Sequence, residues 1–249
     1  YVYENIKNNL HLASISGGTD IVSCFVTGNP NMDIYSGEIQ CAALGMDVDI
    51  FDQNGKSLKQ QKGELVCKTP FPSEPIYFWN DENNKKYLNA YFQKYENIWH
   101  HGDYCEKTIN DGYIIYGRSD ATLNAGGVRI GTSEIYRVVE NIDKIIECVA
   151  VEHNLYTDTE VILFVKLNSN TSLDDILIKN IKLEIRTNLS PKHIPSKIFE
   201  VSDISKTKSG KIVELSIKNI INGMAIKNEN VLANPDCLKE YQSIYYLLK

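Results

Sequence analysis

The sequence predicts an α+β protein in which a β-rich stretch is followed by a smaller mixed domain. Three observations predict it. From Leu12 to about Ser119, short runs of branched and aromatic residues (LASIS, IVSCFVTG, MDVDIFDQNGKSL, GELVCK, YIIYG) are separated by turn-forming residues. After Gly117 the spacing changes, and apolar residues recur at helical intervals from Thr132 to Ile142 and from Leu173 to Leu189. Between those helices lie two runs rich in β-branched residues, Ile145 to Val151 and Glu160 to Lys166, which read as a strand pair.

In chain order, the first half is a series of strands. Asp52 to Gly55, DQNG, separates an alternating apolar run from a polar one and predicts a hairpin turn. One helical insert is expected near Asp81 to Tyr95. Ala121 to Thr132 reads as a hairpin turning at Ala125-Gly126-Gly127, and Thr132 starts a helix with Ile135, Val138, Val139 and Ile142 on one face. The helix over Leu173 to Leu189 has Ser172 as its expected cap, and Pro191 and Pro195 end it. A strand over Lys197 to Val201 leads into a Lys- and Ser-rich loop, Ser205 to Gly210, and a helix from Lys211. The tail's helix, after Pro235, carries Leu238, Tyr241, Ile244, Tyr245 and Leu248 on one stripe, a pattern suited to docking on a partner surface.

Composition narrows the functional classes. At 249 residues with 43% hydrophobic content, the chain can bury one large core or two modest ones. Its longest apolar runs, such as Val161 to Val165, fall far short of the roughly 20 residues of a bilayer-spanning helix. No membrane span is expected. The opening YVYENIKNNL has Glu4 and several Asn in place of a basic, apolar leader, so a cytoplasmic location is the expectation. The chain opens at Tyr1 and runs quickly into LASISGG, which leads us to expect sequence before it. Cys24, Cys41, Cys67, Cys105, Cys148 and Cys237 are scattered without a C-x-x-C pair and read as reduced thiols. A net charge of −6 argues against a general nucleic-acid surface. Arg186, Lys192, His193, Lys197, Lys206, Lys208 and Lys211 nevertheless concentrate positive charge late in the chain, where a small polyanion could bind.

Several constellations carry chemistry. Gly17-Gly18-Thr19-Asp20 offers close backbone approach, a hydroxyl for a phosphate and a carboxylate for a hard cation, although the same residues make a plain glycine turn. Asp103, in His100-His101-Gly102-Asp103, can accept two hydrogen bonds from a vicinal diol, and Arg118 can donate to the same sugar. Asp120 suits either a helix cap or a pivot, because a short polar side chain tolerates several backbone regions. Asn124 to Arg129, NAGGVR, is a hairpin turn whose glycines leave a flat surface for a thin chain. Ser205 to Lys211, SKTKSGK, lacks the earlier glycine of a Walker A loop and reads locally as a solvated lysine loop. No Ser or Cys stands in a nucleophile-elbow pattern near His100 or His101, so a hydrolytic triad is unsupported.

One continuous block gathers most of these residues: Trp99 to Glu140, WHHGDYCEKTINDGYIIYGRSDATLNAGGVRIGTSEIYRVVE. It resembles the core signature of the adenylate-forming acyl-CoA synthetases and, among them, is most similar to the acetoacetyl-CoA synthetases. Pro70 to Pro75, Phe78 to Asp81, Lys227-Asn228 and Ala233-Asn234-Pro235 extend the resemblance along the chain. It implies that residues 1–119 are the carboxy-terminal, β-rich end of a large amino-terminal adenylation domain, that 120–222 are a small mobile α+β domain, and that 223–249 are a tail with a terminal helix. It implies an ATP-dependent acid–thiol ligase that makes acetoacetyl-CoA through an acyl-AMP intermediate, with ATP, Mg²⁺ and CoA as cofactors and co-substrates.

The same resemblance assigns Thr19 to phosphate and Asp20 to Mg²⁺, Asp20 standing one methylene short of the family's Glu. It assigns Asp103 and Arg118 to the ribose, Arg129 to the α-phosphate, Gly126 and Gly127 to the CoA tunnel, Asp120 to the hinge and Lys211 to catalysis. Ser16 and Gly17 are small where acetyl-CoA synthetases carry tryptophans, which implies a longer acyl group. The family's phosphate loop and most of its acyl pocket have no counterpart in these residues, so the missing amino-terminal region is the implied partner and the chain alone is expected not to form acyl-adenylate. Other readings remain: a ligase for acetate or propionate, or a non-catalytic nucleotide- or CoA-binding module.

Overall fold

The computed structural model describes residues 1–125, 127–156, 158–226 and 229–248. The chain divides into two units, Tyr1–Tyr116 and Gly117–Lys249. This division falls slightly before the expected boundary at residue 120.

The first unit opens with a short helix, α1 (Val2–Asn5), and carries β1 (Ser16–Gly18), β2 (Ser23–Thr27) and β3 (Cys41–Ala42) in one antiparallel sheet. A second sheet has the order β4 (Val48–Phe51), β5 (Lys62–Cys67), β6 (Trp99–Lys107) and β7 (Tyr113–Arg118). The expected strand LASIS is realised only at Ser16. Leu12 and Ile15 lie exposed, since a strand persists only where a neighbour takes its backbone groups. The DQNG turn forms as read: Asp52 accepts from the amides of Asn54 and Lys56, and Gly55 takes φ +78°. Beyond the turn, however, the chain makes only a bridge between Phe51 and Ser57, and β4 pairs with the later β5. The helical insert is α2 (Lys85–Tyr91), started by Asp81, whose carboxylate accepts from the amides of Lys86 and Tyr87. Phe25, Phe71, Tyr87, Tyr91 and Trp99 form an aromatic core with α2 against β6.

The second unit carries a hairpin, β8 (Leu123–Ala125) with β9 (Val128–Ile130), and the helix α3 (Thr132–Val139). Its central sheet pairs β10 (Ile145–Asn154) antiparallel to β11 (Thr159–Leu167), and β11 parallel to β12 (Lys197–Glu200). The remaining helices are α4 (Asp175–Asn188), α5 (Glu214–Ile221) and α6 (Leu238–Leu248). Strand alternation explains the layers. Cys148, Ala150, Val161, Leu163 and Val165 face α3, α4 and the hairpin, while Val149, Val151, Ile162 and Phe164 face α5 and α6. A sheet covered on both faces needs the unbroken apolar runs seen in the sequence.

Two expectations are corrected. The cap of α4 is Asp174, whose side chain accepts from the amide of Leu177 at 2.7 Å, and Ser172 lies outside the helix. The stripe of the tail helix docks on the unit's own sheet. Tyr241 is fully buried, its ring edge-on to Phe164 at 4.9 Å and its hydroxyl donating to the Asp203 carbonyl at 3.0 Å. The tail is therefore part of the second core.

Candidate functional site

In the first unit, the β1–β2 hairpin presents Thr19 and Asp20 at its exposed turn. A Cβ at Gly17 would lie 2.3 Å from the Ser23 carbonyl and 2.4 Å from the Cys24 Cα, so the cross-strand backbone itself demands glycine there. A Cβ at Gly18 would meet Asp20 Oδ1 and the His101 ring. The Asp20 carboxylate accepts a hydrogen bond from the Tyr91 hydroxyl. Tyr91 stacks on Trp99 with centroids 3.7 Å apart, and the Trp99 indole N–H donates to His101 Nδ1 at 3.4 Å. An aromatic wall thus orients the carboxylate. Sequence reasoning missed this wall, because Tyr91 lies 71 residues from Asp20 and nothing local marks it.

Asp103 is buried on β6. The register of β5 against β6 shifts between Glu64 and Val66, so that Leu65 alone stands opposite His101, Gly102 and Asp103. Gly102 takes φ +83° in this bulge. A bulge re-aims side chains, and glycine supplies the left-handed backbone that it needs. The HHGD wording is thus a backbone device that sets the direction of Asp103. The neighbouring Cys105 thiol is pushed well up, first by burial and then by the Asp103 charge.

In the second unit, Gly117 takes φ +123°, and a Cβ there would come 2.9 Å from Thr132 Oγ1. Arg118 Nε lies 3.7 Å from Asp120 Oδ1, both side chains being about half exposed. Glu214, the first residue of α5, faces the same pair: burial raises its carboxyl above the ordinary range, the Asp120 charge adds to the rise, and Arg118 opposes it. Arg129 turns back onto the segment beside Asp120, with Nε donating to Thr122 Oγ1 at 3.0 Å and Nη2 to the Ser119 carbonyl at 3.1 Å. In this arrangement Arg129 braces the expected hinge.

Gly126 lies outside the described residues. Gly127 takes φ +79°, with nothing within 4 Å of where a Cβ would stand. The preceding Asn124 is held from outside the hairpin. Its amide donates to buried Glu152 at 3.2 Å, and its carbonyl accepts from Thr159 Oγ1 at 2.7 Å. Glu152 also accepts from Lys218 Nζ at 2.8 Å.

Lys211 stands exposed on a tight turn. The Thr207 amide donates to the Lys211 carbonyl at 2.8 Å, the Lys211 amide donates to Thr207 Oγ1 at 3.1 Å, and Gly210 takes φ +83°. The backbone at Lys211 is fixed while its ammonium reaches outward. Lys206, expected to be solvated or an aid to phosphate binding, instead pairs with Glu147 at 2.6 Å at the base of the loop. The helix expected from Lys211 starts only at Glu214, after the bridge between Lys206 and Ile212.

Thr19 and Asp20 provide hard oxygen donors of the kind Mg²⁺ takes. Among the described residues no group of three or more His, Cys, Asp or Glu could hold a metal ion, so a cation here would need phosphate and water oxygens for the rest of its shell. No helix among the described residues is long and apolar enough to cross a membrane.

The chain is 51% identical over 238 residues to acetoacetyl-coenzyme A synthetase of Rhizobium meliloti, covering 96% of this chain and 37% of that protein. Acetoacetyl-CoA synthetase of Macaca fascicularis is 45% identical over 98% of the chain, again over 37% of its own length. The solved acetoacetyl-CoA synthetase of Streptomyces lividans superposes with a TM-score of 0.89 at 38% identity, covering 95% of this chain and 36% of that one. A benzoate CoA ligase of Burkholderia xenovorans, at 23% identity and a TM-score of 0.70, shares the fold. No family model matches the chain. The chain spans little more than a third of the length of the curated relatives it matches.

Proposed function

We propose that this chain, which belongs to the acetoacetyl-CoA synthetase family and corresponds to the carboxy-terminal part of its relatives, works within a longer cytoplasmic enzyme that makes acetoacetyl-CoA from acetoacetate, ATP and CoA. The reaction has two steps. An acetoacetate oxygen attacks the α-phosphorus of ATP and expels pyrophosphate, giving acetoacetyl-AMP. The CoA sulfur then attacks the activated carbonyl, loses its proton and expels AMP.

The observation that carries this reading is the placement of Lys211, an exposed ammonium on a backbone fixed by its own turn. A cation so presented can neutralise charge developing between the carboxylate and the α-phosphate during in-line displacement. For the same step, Asp103 would accept from the ribose diol and Arg118 donate to it, Thr19 would contact phosphate, and Asp20, whose carboxylate the Tyr91 hydroxyl orients, would hold Mg²⁺, which would supply positive charge against the phosphates. Rotation about Asp120 then withdraws Lys211, frees Arg129 for the α-phosphate and brings Gly126 and Gly127 to the pantetheine chain. Breaking and remaking the Arg129 bonds to residues 119 and 122 belongs to that rotation.

Gly17 is fixed by the hairpin backbone whatever the substrate, so its small size does not select acetoacetate. Selectivity is tested by offering the full-length enzyme acetate, butyrate and 3-hydroxybutyrate beside acetoacetate, and a higher kcat/KM for one of these than for acetoacetate overturns the assignment. The role of Lys211 is tested in the same enzyme. Lys211→Ala should lower acetoacetate-dependent ATP–pyrophosphate exchange by about 10²- to 10³-fold while thioester formation from supplied acetoacetyl-AMP stays within about threefold. Equal loss of both steps overturns that role. The present chain, incubated alone with all three substrates, should give no product.

A further inference from the structure

The Lys211 loop does not stand by itself. The segment that leads into it, residues 204–208, is held by the tail. The Asn234 carboxamide bonds at three points: Oδ1 accepts from the Lys206 amide at 3.0 Å, and Nδ2 donates to the Ile204 carbonyl at 2.8 Å and to Asp203 Oδ2 at 2.5 Å. From the tail as well, the Ala233 amide donates to the Lys206 carbonyl at 2.8 Å, the Lys208 amide donates to the Val231 carbonyl at 3.3 Å, and Thr207 bridges to Leu232. Asn234 therefore closes the end of a short ladder between the tail and the loop.

Ion pairs hold the same segment as well. Lys206 Nζ pairs with Glu147 on β10, and Asp203, the carboxylate that receives Asn234, also takes Lys166 Nζ from β11 at 2.7 Å. The tail's own position is fixed by α6 through Tyr241, whose hydroxyl bonds the Asp203 carbonyl. An amide serves here because it both accepts and donates. It takes the Lys206 N–H with one atom and gives two hydrogens with the other, which neither a carboxylate nor an ammonium can do.

We propose that Asn234 is a positioning residue for Lys211, so that the tail sets the geometry of the adenylation step without touching the substrate. This rests on the reading of Lys211 given above. Within the tail, the segment Ala233-Asn234-Pro235 fixes the root of the loop, and Pro235, which has no amide hydrogen, turns the chain away into α6. Loss of the carboxamide leaves the Lys206 amide and the Ile204 carbonyl short of a partner and lets the loop root shift. A catalytic ammonium displaced by about 1 Å loses much of its effect on the reaction it serves. The CoA step uses the opposite arrangement, with Lys211 withdrawn, and should be spared.

The test is a comparison of half-reactions in the full-length enzyme that contains this chain. Asn234→Ala should slow acetoacetate-dependent ATP–pyrophosphate exchange by about tenfold or more, while thioester formation from supplied acetoacetyl-AMP and CoA changes by less than about twofold. Amide hydrogen exchange should accelerate over residues 204–211 and stay unchanged across β10 and β11. Asn234→Ser keeps an oxygen that can accept from the Lys206 amide and should recover part of the lost exchange rate; it also carries the comparison should Asn234→Ala fail to fold. Equal slowing of both half-reactions, or an unchanged pyrophosphate exchange rate, overturns the proposal. Absence of acetoacetate-dependent exchange in the unmodified enzyme overturns the ligase reading itself and is recognised by that control alone.

Discussion

A side chain added at Gly17 would overlap the backbone of Cys24, and one at Gly117 would crowd Thr132, so both glycines are dictated by local geometry before any ligand is considered. Asp20 differs, because its turn leaves it exposed and the Tyr91 hydroxyl at its carboxylate gives it direction. Tyr91→Phe removes that bond and keeps the ring on Trp99. In the full-length enzyme it should raise the Mg²⁺ concentration needed for half-maximal pyrophosphate exchange by about three- to tenfold, and an unchanged Mg²⁺ titration refutes the link. Glu214 gives a pH signature. Burial, aided by Asp120, raises its carboxyl in the folded state, so the protonated form is favoured on folding. Its contribution is fully present below the unfolded value of about 4.3 and is lost as pH rises through the folded value. Glu214→Gln should therefore unfold at a higher temperature than the parent at about pH 8, with the difference disappearing near pH 4. A gap that is constant across this range contradicts the assignment.

At the scale of elements, α4 shows where pattern reading succeeds and where it stops. Of the stripe read as its core face, Leu173, Ile176, Leu177, Ile181 and Ile185, the last three are buried while Ile176 is 75% exposed, so the helix was legible and its core face only in part. Its start was not, because Ser172 and Asp174 both fit a cap and only the fold decides which one meets a free amide. Asp174→Ala should cost about 1 kcal/mol, lowering the melting temperature by about 2–4 °C, and Ser172→Ala should change stability by less than about 0.5 kcal/mol. The reverse order in thermal unfolding would return the cap to Ser172. The NAGGVR hairpin was equally legible as a hairpin. Its anchoring was not, since Glu152 and Thr159 reach Asn124 from strands later in the chain. Contiguous motifs such as HHGD and SGK could be read directly, whereas the partners that aim them are assembled by tertiary structure.

At the scale of the whole molecule, the chain's partition into a β-rich unit and a mixed unit follows from the change in apolar period near Gly117, and the structure divides it there. The tail was the part that pattern alone misplaced. A stripe of Leu238, Tyr241 and Ile244 says that something must cover it, but the stripe carries no address, and an outside partner and the chain's own sheet satisfy it equally. In the structure it covers Phe164 and closes one face of the second core. Burying those three side chains contributes on the order of 5 kcal/mol, a large share of the stability of a domain this size. Deleting residues 223–249 uncovers that face and removes the ladder to residues 206–208 together with Tyr241. Denaturant unfolding followed by hydrogen exchange should then show β10 and β11 losing protection while β5 and β6 keep theirs. If β10 and β11 remain protected after the deletion, the tail is an appendage, and the second core closes without it.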